Sequence, residues 1–225
     1  MSEPVDPPVL RIPCRGVLFD CDGVLVDSIA SAERVWTRWA VEYGLEPADV
    51  LAVMHGRRSA DTIASFIEDP RERAVSVEKI ERYEIDDAAG VVAIPGAGAL
   101  MRGLPADLWA VVTSASARLA RARLGAAGLP EPPTLITADD ITAGKPEPEG
   151  YLAAADALGL PPHETVVFED SAAGVKAGHA AGAACVVGVG VRALDTEAAV
   201  VVPDLRDVRW EAGALHVPGA RLLRS

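Results

Sequence analysis

Short apolar runs that each end on a polar or acidic residue constrain this chain more than any other feature. Val17-Leu18-Phe19 leads into Asp20-Cys21-Asp22-Gly23, Trp109-Ala110-Val111-Val112 into Thr113-Ser114, and Val166-Val167-Phe168 into Glu169-Asp170. Runs of this length bounded by turn residues predict buried strands. Thr134 to Thr137, Ala184 to Val189 and Val200 to Val202 predict three more. Helical stretches separate them: Pro95 to Leu104, Ser116 to Ala127 closed by Gly128, Glu149 to Leu158 closed by Gly159, and a helix capped by Ser171 that runs to Ala181. Strands alternating with such helices predict an α/β fold, with a mainly parallel sheet, right-handed crossovers and helices on both faces.

One segment breaks the alternation. Between Asp27 and Val91 there is no strand-like run. Ser28 is placed to cap a helix with Ile29, Ala32, Trp36, Ala40 and Tyr43 on one face, stopped by Gly44. Pro47 starts a second helix, Ser59 caps a third, and Pro70 starts a fourth that runs towards Ala89. The expected organisation is a loose, proline-rich tail over residues 1–13, a discontinuous core of 14–26 and 93–225, and an inserted all-helical unit of 27–92. Trp210 to Val217 is expected to form a small terminal hairpin.

The 225 residues suffice for one core domain with a smaller insertion. Aromatics are only 4% of the chain, so the core must rest mainly on Val, Leu, Ile and Ala. A net charge of −12 argues against nucleic acid or an anionic membrane as partner. It leaves room for a small anionic substrate, because a few local cations override the bulk charge. Three cysteines, Cys14, Cys21 and Cys185, argue against a disulfide framework. Residues 1–13 carry no long apolar region and no run reaches spanning length, so a cytoplasmic protein is expected, as a monomer or small homo-oligomer.

In a parallel sheet, ligands bind at the carboxyl ends of the strands. Asp20, Ser114 and Glu169-Asp170 all follow strand ends, and Lys145 sits in the rigid loop Gly144-Lys145-Pro146. Asp20 and Asp22 are two residues apart, so both stay ionised only beside a cation or a donor. Carboxylates, a hydroxyl and an ammonium gathered at one edge are what phosphoryl transfer requires: a nucleophile in line, and positive charge and donors on the anionic group.

Four pieces, in order, carry a family resemblance: Asp20-Cys21-Asp22-Gly23-Val24, Val111-Val112-Thr113-Ser114, Gly144-Lys145-Pro146, and Glu169-Asp170-Ser171-Ala172-Ala173-Gly174. Together they resemble the haloacid dehalogenase-like hydrolases, the superfamily of aspartate-nucleophile phosphatases, over about residues 16–202. The resemblance implies a Rossmann-like core with a small helical cap, the segment 27–92. It implies that Asp20 attacks phosphorus to form an aspartyl-phosphate and that Asp22 serves as acid and then base. It implies magnesium held by Asp20, the Asp22 backbone carbonyl and Asp170, with Glu169 in or near that set, and phosphate held by Ser114 and Lys145; Thr113 is taken as a further phosphate-binding residue. Hard oxygen ligands and an anionic substrate suit magnesium.

His55-Gly56-Arg57-Arg58-Ser59 is read as a cap loop over the cleft, with Gly56 and either Arg57 or Arg58 meeting the substrate's hydroxyls or charge. This loop is similar to those of sugar- and polyol-phosphate phosphatases. The expected activity is therefore magnesium-dependent hydrolysis of small sugar or polyol phosphates. A phosphosugar mutase using the same site is the alternative. A signalling receiver domain also uses Asp, Ser or Thr, and Lys, but places its acidic pair on an earlier strand than the phosphorylated aspartate.

Overall fold

The computed structural model describes residues 9–224. Its main sheet has six strands, all parallel. In sequence they are β2 (Gly16–Phe19), β5 (Trp109–Val112), β6 (Leu135–Ile136), β7 (Thr165–Glu169), β8 (Cys185–Val189) and β9 (Val200–Val202). In space the order is β6-β5-β2-β7-β8-β9. The chain builds outward from β2 on one side through β5 and β6, then returns and builds on the other side from β7. This reversal opens a crevice at the carboxyl ends of β2, β5 and β7.

The apolar runs alternate across the sheet because successive strand side chains point to opposite faces. Val17, Phe19, Val111, Val166 and Phe168 join one buried cluster. Leu18, Ala110, Val112 and Val167 join the other. The second face is covered by α7 (Glu149–Ala157) and α8 (Ala172–Ala180), through Tyr151, Ala154, Val175 and Ala177. The first face is covered by α5 (Ala97–Gly103), by Leu124 of α6 (Ala117–Ala126), and by a second sheet.

That second sheet corrects one sequence expectation. Val9–Pro13 is a strand, β1, and not part of a loose tail. It pairs antiparallel with β11 (Ala214–Pro218), which also pairs with β10 (Arg209–Glu211), the expected terminal hairpin. Ile12 faces Leu215 across the pair, and both are buried in the main core. Pro13 is tolerated because β1 lies at the edge of the order β1-β11-β10. The remainder of the expected tail, residues 1–8, lies outside the described residues.

The inserted segment holds α1 (Ile29–Glu42), α2 (Pro47–Met54), α3 (Ser59–Ala64) and α4 (Pro70–Asp86). The chain leaves and re-enters through β3 (Val26–Asp27) and β4 (Val92–Ala93), which pair antiparallel. Val35, Trp36, Trp39, Val50, Ile63 and Ile80 form its own buried cluster, separate from those of the sheet. Two expected caps are absent. Ser28 makes no capping bond because its hydroxyl donates to Asp22 Oδ1 at 2.6 Å, and Ser59 is already the first helical residue of α3. Pro70 does start α4, where the Asp69 side chain accepts the Arg71 N–H. No helix among the described residues is long and apolar enough to cross a membrane.

Leu215→Ala tests whether the terminal sheet belongs to the core. It is expected to cost about 2–5 kcal/mol in urea unfolding, as for other fully buried leucines. Wild-type stability in that variant would mean the second sheet contributes nothing to the core.

Candidate active site

Asp20 follows β2, the strand flanked by β5 and β7, and its N–H donates to the Phe168 carbonyl at 2.9 Å. Its carboxylate is thus fixed beside the end of β7, which delivers Glu169 and Asp170. The four charged groups at this point are nearly closed to solvent: Asp20 6%, Lys145 6%, Glu169 0% and Asp170 4% exposed. The Lys145 ammonium donates to Asp20 Oδ1, to Glu169 Oε1 at 2.6 Å and to the Val112 carbonyl at 3.4 Å. Glu169 Oε1 also accepts from the Tyr151 hydroxyl at 2.8 Å. Its other oxygen accepts from the Asp170 N–H, the Ser171 N–H and the Ser171 hydroxyl. With both oxygens engaged, Glu169 anchors Lys145. Ser171 also caps α8 through the Gly174 N–H.

Burial pushes the Asp20 carboxyl well above the usual carboxylate range; Lys145 opposes this, while Glu169 and Asp170 add to it. Burial and Glu169 raise Asp170 to about 7, against the pull of Arg192. For Lys145, burial favours the neutral amine, but Asp20 and Glu169 together outweigh it and hold the ammonium charged. Oxygens of Asp20, Glu169 and Asp170 lie within 4.8 Å of one another. A buried cluster of hard oxygen donors, two of which burial pushes up, is suited to a further cation.

Asp22 sits half-buried on the cleft side of Asp20. Its Oδ1 accepts from Ser28 and pairs with Arg123 at 3.0 Å, and Arg123 also reaches Glu84 of α4 at 3.1 Å. Gly23 needs to be glycine: its φ is +83°, and a Cβ there would stand 2.1 Å from Asp170 Oδ2. Asp20, Asp22, Ser114, Gly56, Arg57 and Asp170 share one cleft between the helical segment and the sheet.

The helical segment closes onto the core through the expected loop. The Ser114 hydroxyl donates to the Gly56 carbonyl at 2.9 Å. Arg57 lines the cleft and donates to the Asp61 carbonyl at 3.2 Å. Arg58 lines not this cleft but an adjoining cavity: it pairs with Asp61, donates to the Ile141 carbonyl at 3.3 Å and packs on Gly144. Its contacts make it a clasp between loop and core, and of the two arginines only Arg57 faces the cleft. Thr113 is buried, and its hydroxyl accepts the Ala115 N–H at 3.1 Å, so it shapes the turn that presents Ser114. Cys21 is fully buried with its thiol pushed up by burial, as an inert packing residue should be.

Sequence reasoning missed three site residues. Arg192 donates to Asp170 Oδ2 at 2.6 Å and meets His55 Nδ1 at 3.0 Å. It follows β8, so the strand-end argument that found Ser114 applies to it equally. Arg123 and Glu84 had a subtler signal. Each is a charged residue on the buried face of its helix, Arg123 beside Leu119, Ala120 and Leu124, and Glu84 one turn from Ile80.

Residues 14–182 match the family model of the haloacid dehalogenase-like hydrolases, and the chain belongs to that family. Among its relatives, hexitol phosphatase A of Escherichia coli (strain K12) is 45% identical over 176 residues, 75% of this chain and 80% of that protein. The 2-deoxyglucose-6-phosphate phosphatase 1 of Saccharomyces cerevisiae is 34% identical over 189 residues, 74% and 76% of the two chains. A solved β-phosphoglucomutase from Clostridium difficile shares the fold, with a TM-score of 0.75 at 21% identity, covering 88% of this chain and 94% of that one.

Gly174→Ala tests the anchoring of Lys145. A Cβ there would fall 1.7 Å from Glu169 Oε1 and force that carboxylate out of place. Alanine ordinarily favours a helix by about 1 kcal/mol over glycine. The expected result is a folded protein whose turnover of a phosphate ester drops about tenfold or more. Wild-type turnover would show that Glu169 does not hold the site.

Proposed function

We propose that this chain is a magnesium-dependent phosphatase of the cytoplasm. It hydrolyses small sugar or polyol phosphates through an aspartyl-phosphate on Asp20. The observation that carries this reading is Lys145, held charged between Glu169 and Asp20, the latter of which lines a cleft that the helical segment covers. The named relatives, which are sugar and polyol phosphatases, support the substrate class.

The chemistry runs in two displacements. Asp20 attacks phosphorus, and the bond to the substrate's ester oxygen breaks as Asp22 gives that oxygen a proton. Asp22 then takes a proton from water, which attacks phosphorus as the bond to Asp20 breaks, and inorganic phosphate leaves. Lys145 holds the phosphoryl oxygens in both steps, joined by the Ser114 hydroxyl when it turns from the Gly56 carbonyl to the phosphoryl group. Arg123 and Ser28 hold the Asp22 carboxylate towards the cleft. Asp20, Asp170 and the Asp22 backbone carbonyl would hold the magnesium, with Glu169 behind them, already committed to Lys145. When bound, the ion neutralises charge on the phosphoryl group. Closure of the helical segment over the cleft keeps bulk water from the first step.

A panel of sugar and polyol monophosphates, assayed for phosphate release, tests the proposal. Release is expected with magnesium, lost with a chelator and restored by added magnesium. Asp20→Asn is expected to keep the fold and lose about a thousandfold or more in rate. An isomeric sugar phosphate formed without phosphate release would assign the mutase reaction instead. Chelator-insensitive turnover would remove magnesium from the account.

A further inference from the structure

Glu84 and Arg123 have more in them than the hydrolytic steps use. Glu84 comes from α4 in the helical segment and Arg123 from α6 in the core, and they join at 3.1 Å across the boundary between the two. Their side chains are only 6% and 5% exposed, yet both line the same cleft as Asp20 and Asp22. Arg123 spends one nitrogen on Asp22 and one on Glu84, while its Nε is buried without a partner. A buried donor left unpaired is costly, and it marks a place where an incoming acceptor would be welcome. Trp36, Ile29 and Leu119 form apolar wall around the pair.

This geometry fixes what lies beyond the reacting phosphate. Arg123 contacts Asp22 at 3.0 Å and Glu84 at 3.1 Å, so a substrate that presents its ester oxygen to Asp22 brings its carbon skeleton next to Arg123 and Glu84. A carboxylate and a guanidinium side by side suit hydroxyl groups, each of which donates to one and accepts from the other. The partly exposed Ile29 suits the apolar C–H face of the same chain. Two carboxylates, Asp22 and Glu84, share the one guanidinium of Arg123, which disfavours a second anionic group there.

Building on the phosphatase reading above, we infer that Glu84 and Arg123 read the hydroxyl-bearing chain of the substrate and select a neutral polyol or sugar skeleton over one with a second phosphate. The expectation follows from polar recognition, since a site built to pair hydroxyls discriminates strongly when that pairing is lost.

The test is the ratio of kcat/KM for a hexitol 6-phosphate to that for p-nitrophenyl phosphate, which has no hydroxyl chain. It is measured in the wild-type protein and in Glu84→Gln, with Glu84→Asp as a second variant that keeps the charge beside Arg123. The ratio is expected to fall about tenfold or more in Glu84→Gln, chiefly through KM, and turnover of a hexose bisphosphate is expected to rise relative to the monophosphate. An unchanged ratio, including equal loss on both substrates, would show a purely structural ion pair and overturn the inference. Should Glu84→Gln not fold, an unchanged ratio in Glu84→Asp overturns it in the same way. A wild-type protein that releases phosphate from neither substrate rejects the phosphatase reading itself, an outcome distinct from a working enzyme with an unaltered ratio.

Discussion

The contact on which the rest depends is the Lys145 ammonium shared between Asp20 and Glu169. Three charges meet there out of reach of bulk water. Burying them is expensive, and removing one partner of such a set typically costs about 3–5 kcal/mol. The arrangement persists because its groups are satisfied: Tyr151, two backbone N–H groups and the Ser171 hydroxyl complete Glu169. Asp20 and Asp170, by contrast, line the cleft. The buried end of the cluster therefore serves as scaffold, and the open end is left for chemistry.

The sheet makes this contact by topology. Because β2 lies between β5 and β7, residues following three separate strands arrive side by side. The helical segment then supplies the opposite wall, with its own apolar cluster, and meets the core through polar contacts at Gly56–Ser114, Arg58–Ile141 and Glu84–Arg123 and one small apolar patch, Ile85 on Leu119 and Ala120. A boundary joined by a few polar contacts is better suited to opening and closing than one sealed by a continuous apolar core.

Much of this was legible in the sequence because strand ends are. Short apolar runs name their own boundaries, and in a parallel sheet those boundaries converge, which located Asp20, Ser114, Glu169 and Asp170 together. Lys145 was legible through its rigid loop, but not its partnership with Asp20, 125 residues distant. Local patterns failed where a tertiary contact outbid them. The prolines around Val9–Pro13 suggested an unstructured lead, but an edge strand accepts a terminal proline when Ile12 can enter the core. Ser28 has the right position for a helix cap, yet a charged acceptor, Asp22, competes for its hydroxyl and wins. Arg57 and Arg58 are chemically equivalent in sequence, and only tertiary contacts, such as that of Arg58 with the Ile141 carbonyl, separate the one that lines the cleft from the one that does not. Glu84 and Arg123 lie on the buried faces of their helices, but nothing local says that those helices meet.

The central claim is that Asp20 bonds covalently to phosphorus while Lys145 neutralises the group. Rapid acid quench during turnover of a phosphate ester, followed by peptide mass spectrometry, tests it most directly. The account predicts a phosphoryl adduct on the peptide carrying Asp20, appearing with substrate and decaying as substrate is exhausted. An unmodified Asp20 peptide throughout turnover, or a phosphoryl adduct on any other residue, would contradict it.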